Sequence, residues 1–455
     1  MSEDFEREER AFAEALHASV PVESFRPLDA DAIRAAARPA RPARSRWLRT
    51  MAAAAVLVVT VGVGAALLPR LGGSSTAVPA SDGYAAGGSA AESAADRATG
   101  AGAPGKVGTS SLQGEWSSLP GSPLAPRSYA GGAWLGGRYF VVGGQLDQPC
   151  PPGASCLAPS RLLRDGASYD PQEGSWKAIA DAPVSVSGAA VVVGVTMYFT
   201  VWVDGSPSVY GYDTSVDAWT RVPSPSIGGG SLVAAGDRLV SIPYSDEQAE
   251  AVDEVYDAGT RTWSRLPDDP LGRSFNRGAV WVDGKLLLLA HKLVANPGSE
   301  EPSLVRLAEF DFTTMSWRRL PDSEILGGGA VAVAGLVVFP DTGSADGGEV
   351  NNWGRRYPMG GIYDPATRGW SDLPELKDPP EGVLYVWSDS SVTGDGVLAS
   401  GHLLDPVSRS WTLLEPPPGG NLQGQSVFAG PEGVLVFGGW DGSAQTNRAS
   451  YLPLR

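Results

Sequence analysis

The chain has few of the side chains that most often carry metal, redox or nucleophile chemistry. It holds two cysteines and three histidines in 455 residues, and charged residues make up only 19%. The cysteines, Cys150 and Cys156, flank the stretch PPGAS. With no histidine or further cysteine beside them they do not complete a tetrahedral metal site, and in an oxidising compartment they are expected to close a small disulfide loop. A basic surplus is absent too. Residues 1–50 balance acids against bases, so the net charge of −16 falls on the remainder, which has no basic footprint to neutralise phosphates. A nucleic-acid partner is therefore not expected.

What is present divides the chain into four stretches. Residues 1–46 begin acidic, with Phe5, Phe12 and Leu16 at near-helical spacing, and continue into a run of arginines at 34, 38, 41, 44 and 46. This reads as one amphipathic helix and a basic juxtamembrane stretch. Residues 47–71 contain Met51–Leu68, eighteen residues without a charge. As a helix that run spans about 27 Å, enough for a hydrocarbon core. Trp47 stands as an interfacial anchor, and the preceding arginines keep the N-terminus in the cytoplasm. A cleaved signal peptide ending at Ala80 is the competing reading, although such peptides begin close to their apolar core and here a long charged segment precedes it. Both readings export the large C-terminal portion of the chain, and the first makes the chain a single-pass protein of the cell membrane. Residues 72–112 are dominated by Gly, Ala and Ser, bury too little to offset ordering entropy, and predict a disordered tether reaching about 35 Å. Residues 113–455 form the folded domain, where most of the 58 glycines and 37 prolines suit short strands joined by turns.

Within that domain one spacing recurs. An aspartate stands six positions before a tryptophan at Asp170–Trp176, Asp213–Trp219, Asp257–Trp263, Asp311–Trp317, Asp364–Trp370 and Asp405–Trp411. An apolar residue follows each tryptophan three positions on, often with proline next, and Trp116 opens the same pattern in WSSLP. Successive tryptophans from Trp176 lie 41 to 54 residues apart, the scale of a four-stranded propeller blade. A tryptophan can fill the wedge between neighbouring blades, and an aspartate oxygen can accept the free amides of a tight turn. Six equivalent copies around a ring cannot all be one active centre, so the motif is a joint.

The doublets Gly143–Gly144 and Gly438–Gly439, the aromatic–Asp pairs and the spaced tryptophans resemble the kelch-repeat β-propeller family, within the galactose oxidase-like propellers, over residues 113–455. The resemblance implies an all-β fold of four-stranded antiparallel blades. The middle of the chain departs from it, since FTVWVDG, VSIPYS and LLLLAHK lack the glycine doublet. Six segments end in a tryptophan strand. The last segment has only three strands, and pairing it with the lone strand at Trp116 predicts a seventh blade that closes the ring.

Function is expected on the face that carries the long second-to-third connectors, 145–164, 292–304 and 341–358, because rigid scaffolds place binding residues on elaborated loops. The 341–358 loop concentrates Trp353, Arg355, Arg356 and Tyr357, and Trp440 and Asp441 lie on the same face. These are the candidate ligand-binding residues for an extracellular protein, peptide or glycan: aromatic platforms beside arginine forks that orient an anionic group, unless the arginines merely pair with Asp346 or Glu349. The acids from Asp341 to Glu349 do not match calcium-loop spacing. Copper-radical oxidases resembling galactose oxidase need histidine and tyrosine ligands and a cysteine–tyrosine crosslink, whereas this domain offers only His291 and His402. No catalytic residue, cofactor or metal is therefore expected. The alternative function is signalling. FEREERAFAEAL and LDADAIRAAARPARPARSRWLR, followed by one span, resemble the layout of membrane-bound anti-sigma regulators, although His17 lacks the cysteines of their zinc cluster. That resemblance implies a cytoplasmic partner for residues 1–46, with the propeller as sensor.

Overall fold

Alternating apolar stretches punctuated by glycine turns build strands, and in the computed structural model these strands assemble into seven four-stranded antiparallel sheets among the described residues. The structure describes residues 114–150, 156, 161–226, 230–295, 301–347, 353–376, 391–399 and 401–454. The amphipathic segment, the Met51–Leu68 run and the 72–112 tether lie outside them. No helix among the described residues is long and apolar enough to cross a membrane.

Blade one shows the unit: Gly131–Leu135, Arg138–Val142, Gly166–Asp170 and Ser175–Ile179 in sequential antiparallel order. Blades two to six end in the strands bearing Trp219, Trp263, Trp317, Trp370 and Trp411. Blade seven takes Ser426–Gly430, Gly433–Phe437 and Ala449–Pro453 from the C-terminus and its fourth strand, Ser117–Ser118, from the start of the domain. Ser117 pairs with Tyr451 and Ser118 with Ser450, so the seventh blade is closed by an N-terminal strand.

The core is distributed. Seven buried clusters each draw on two neighbouring blades, and each takes in one of the repeat tryptophans. One joins Val280, Leu287 and Leu289 of blade four to Val337, Phe339 and Tyr363 of blade five. A single blade has too little apolar face to bury by itself, so closure of the ring is what removes every blade from water.

The glycine doublet acts as a strand stop. Gly143 and Gly144 have φ of +65° and +89°, a region that disfavours side chains, and a Cβ on Gly143 would lie 2.0 Å from the Val186 carbonyl. Blade two has no doublet, and its ladder runs on: Thr196–Val203 pairs with Ser206–Asp213 across the two-residue turn Asp204–Gly205, both at positive φ. In blade two the departure from the repeat goes with a longer hairpin.

Candidate functional site

The repeat residues occupy joints. Asp170 accepts the amides of Gln172 and Glu173, Asp257 those of Gly259 and Thr260, and Asp405 those of Val407 and Ser408, with Asp213, Asp311 and Asp364 in equivalent turns. Each tryptophan reaches back to the preceding blade. The indole N–H of Trp219 donates to the Ala180 carbonyl, Trp263 to Pro223, Trp317 to Pro267, Trp370 to Pro321, Trp411 to Pro374 and Trp116 to Glu415. In every case the acceptor stands four residues after the preceding blade's tryptophan. Trp176 faces the closing blade and packs on Phe437, yet its indole nitrogen is buried without a hydrogen-bond partner. Six joints carry the bond and the seam does not.

The elaborated face contains two groupings that the loops predicted and one cleft that they did not. In the 341–358 segment, Ser344–Ala345 pairs with Tyr357–Pro358 as a small ribbon. Arg355 bridges from this ribbon to Glu324 with nitrogen–oxygen distances of 3.0 and 2.7 Å, and its guanidinium lies 4.3 Å from the centre of the Tyr357 ring. Trp353 meets Tyr357 edge-on at 5.6 Å. Arg355 therefore pairs with Glu324, which is remote in sequence; Glu349 lies outside the described residues. The arginine holds the Glu324 carboxyl below its ordinary range. Arg356 is exposed beside it.

Trp440 and Asp441 belong to blade seven, two blades away, and no contact joins them to the ribbon among the described residues. Trp440 forms isolated bridges with Gln423 and Gln445. These glutamines tie blade seven to the 145–150 loop of blade one, Gln423 donating to the Cys150 carbonyl and Gln445 to the Asp147 carbonyl. Cys150 and Cys156 are disulfide-bonded. Asp441 accepts the amides of Ser443 and Ala444, which hold its carboxyl down at about 2; it is spent on a turn in the same way as the joint aspartates.

The cleft lies across blades one to three. It is a half-open groove of about 660 Å³. Its floor and walls come from the connector 183–190, the long blade-two hairpin, Gly230–Leu232 and Tyr244 of blade three, and Leu162 and Arg164 of blade one. On the hairpin, Met197, Phe199 and Val201 point into the blade interior, while Thr200 and Trp202 point the other way, into the cleft. A cleft of this volume, with mixed polar and apolar walls, is in the range of ligand sites. Sequence reading missed it because its parts are short and ordinary in themselves. The missing doublet in FTVWVDG was the available signal.

One half-buried ion pair and one buried ion cluster brace the same face. Arg127, fully buried, grips Asp165 with two nitrogens at 2.8 and 2.7 Å and also donates to the Gly143 carbonyl. Arg277 grips Asp253 at 2.9 Å through both oxygens and reaches Asp269 at 3.1 Å, linking blade four to blade three. Burial pushes the Asp253 carboxyl upward against the pull of that guanidinium. The histidines sit in walls: His291 stacks on Phe275 and bonds to the Leu326 carbonyl at 2.8 Å, and burial pushes its pKa down. His402 lies edge-on to Trp411.

No family model matches the chain. A curated relative, the Kelch-like protein terF of Aspergillus terreus, is 27% identical over 341 residues, covering 67% of this chain and 69% of that protein. A solved structure titled Structure of YjhT is similar at 13% identity and a TM-score of 0.36, covering 73% of this chain and 96% of that one, a likeness too low to carry an argument. The relative and the seven closed blades together support a kelch-type β-propeller, a fold that points to an interaction module.

Proposed function

We propose that the chain is a membrane-anchored, non-catalytic binding module whose elaborated face takes an extracytoplasmic protein, peptide or glycan. The cleft across blades one to three carries this reading. It opens on the face of the long connectors, whereas the chain enters the propeller at the other face: the Gly114 amide donates to the Pro453 carbonyl at the short-turn end of blade seven. Anchoring rests on the uncharged Met51–Leu68 run and the arginines before it.

Two measurements test the proposal. Mass spectrometry of the native protein is expected to find residues 1–80 still attached; a start near Ser81 would replace the anchor with a secreted form. For the face, binding of candidate peptides and glycans to the full chain is expected to fall with Trp202→Ala and to persist with Val216→Ala, an exposed position in a short turn of blade two. Losses equal at both positions would remove the assignment of binding to the elaborated face.

A further inference from the structure

We infer that this cleft takes an extended protein segment that seats a bulky apolar side chain against Trp202 and a carboxylate on Arg164; the inference rests on the binding-module reading above.

Three of the ten large hydrophobic residues that are exposed among the described residues share this one cleft: Leu162, Trp202 and Tyr244. Trp202 is 37% exposed and Tyr244 47%. The other repeat-domain tryptophans with described contacts are occupied, the joint indoles between blades and Trp353 against Tyr357. A partly exposed tryptophan on the outer side of a hairpin, lining the same cleft as an exposed tyrosine, leaves apolar area that an incoming group can cover.

The second observation is electrostatic. Arg127, Arg277 and Arg355 each hold a carboxylate with two hydrogen bonds. Arg164 does not. The one hydrogen bond of its guanidinium among the described residues is a long contact of 3.5 Å to the Pro183 carbonyl, and no described carboxylate pairs with it. An exposed guanidinium that meets no counter-charge among the described residues, in a domain with acids in excess, is complementary to a ligand carboxylate. Asp204, at the tip of the blade-two hairpin, also lines the cleft and repels an acid placed near it. The two charges therefore set a direction, with the acidic end of the ligand on blade one and its apolar side chain between Trp202 and Tyr244. Trp, Tyr and Arg are also the residues that most often anchor protein partners. A neutral oligosaccharide would use the aromatic faces but leave Arg164 uncompensated.

The test pans phage-displayed random heptapeptides on the detergent-solubilised full chain, measures Kd for synthetic copies of those recovered, and runs a glycan array in parallel. Recovered peptides are expected to place a bulky apolar residue beside Asp, Glu or a free C-terminus. Their affinity is expected to drop about 30-fold or more in Trp202→Ala and about tenfold in Arg164→Gln. Trp202→Phe should recover most of the loss, which separates ring contact from any change in the hairpin. Peptides that bind equally well to Trp202→Ala and Arg164→Gln but lose affinity in Trp353→Ala or Trp440→Ala would overturn the inference while leaving the binding-module reading in place. Glycans bound through Trp202 with no peptide recovered would overturn the peptide class. No peptide and no glycan bound would overturn the inference and remove peptides and glycans from the binding-module reading.

Discussion

Two arginines on the elaborated face each hold a carboxylate, under opposite conditions of exposure. Arg277 and Arg355 both hold a carboxylate through two hydrogen bonds, at 2.9 Å to Asp253 and at 3.0 and 2.7 Å to Glu324. The side chains of Arg277, Asp253 and Asp269 are 0%, 5% and 8% exposed, and those of Arg355 and Glu324 are 52% and 65%. Arg277 spreads one nitrogen over both oxygens of Asp253 and Arg355 sets two nitrogens on the two oxygens of Glu324, but the larger difference is solvent. In the first case, removing one partner leaves charges stranded in a low-dielectric interior. In the second, water replaces what is lost. The buried arginine is accordingly part of the frame linking blades three and four, and the exposed one is a surface clasp on a loop.

The largest effect should come from breaking the buried cluster. Arg277→Ala is expected to lower stability by about 3–5 kcal/mol, because Asp253 and Asp269 remain buried without a counter-ion. Chemical denaturation checks this, and a loss no larger than that of Arg355→Ala would erase the distinction between the two sites.

Acid should act next, through the joints. Each of the six joint aspartates has a folded pKa below its ordinary value. For Asp311 the Lys285 ammonium is the first cause and the Thr313 amide the second, and together they bring it to about 2. A depressed folded value contributes stability above the unfolded pKa and loses it as pH falls through the folded one. The unfolding temperature should therefore fall between about pH 4 and about pH 2, and Asp311→Asn should flatten that fall. Asp253, whose folded value is raised, works in the opposite sense over its own range. A pH-independent unfolding temperature across that interval would show that the turn carboxylates do not hold the joints.

Smaller still is the indole test. Trp317→Phe keeps an aromatic wedge and removes the bond to the Pro267 carbonyl, for an expected loss of about 1 kcal/mol beyond packing. Trp176→Phe at the seam removes no hydrogen bond among the described residues and should cost less. Equal losses in paired denaturation curves would mean that the indole bonds contribute nothing to the ring.

The smallest effect belongs to the clasp. Arg355→Ala is expected to leave stability nearly unchanged, because solvent screens an exposed pair. It should also return the Glu324 titration, followed by NMR, to the ordinary carboxylate range, since Arg355 is the first cause of its depression. An unmoved Glu324 would mean that the pair is not formed in solution.

The sequence by itself determined the repeat, and with it the blade count and the closing strand. The reason is that a joint must be rebuilt in every blade, so Asp, Trp and the turn between them recur at fixed spacing and can be counted. The elaborated face was legible as well, because alternating connectors fall on alternating faces in any antiparallel meander. Tertiary structure alone decided which residues meet there. Arg355 and Glu324 are 31 positions apart, Arg277 and Asp253 are 24, and Arg127 and Asp165 are 38. The cleft gathers residues from 162 to 244 on three blades. No local pattern encodes such meetings, because each depends on how strands from different blades are brought together when the ring closes. Trp202 shows the difference most directly. In FTVWVDG it reads as one more apolar strand residue, and only the lengthened hairpin turns its ring outward over a concave surface.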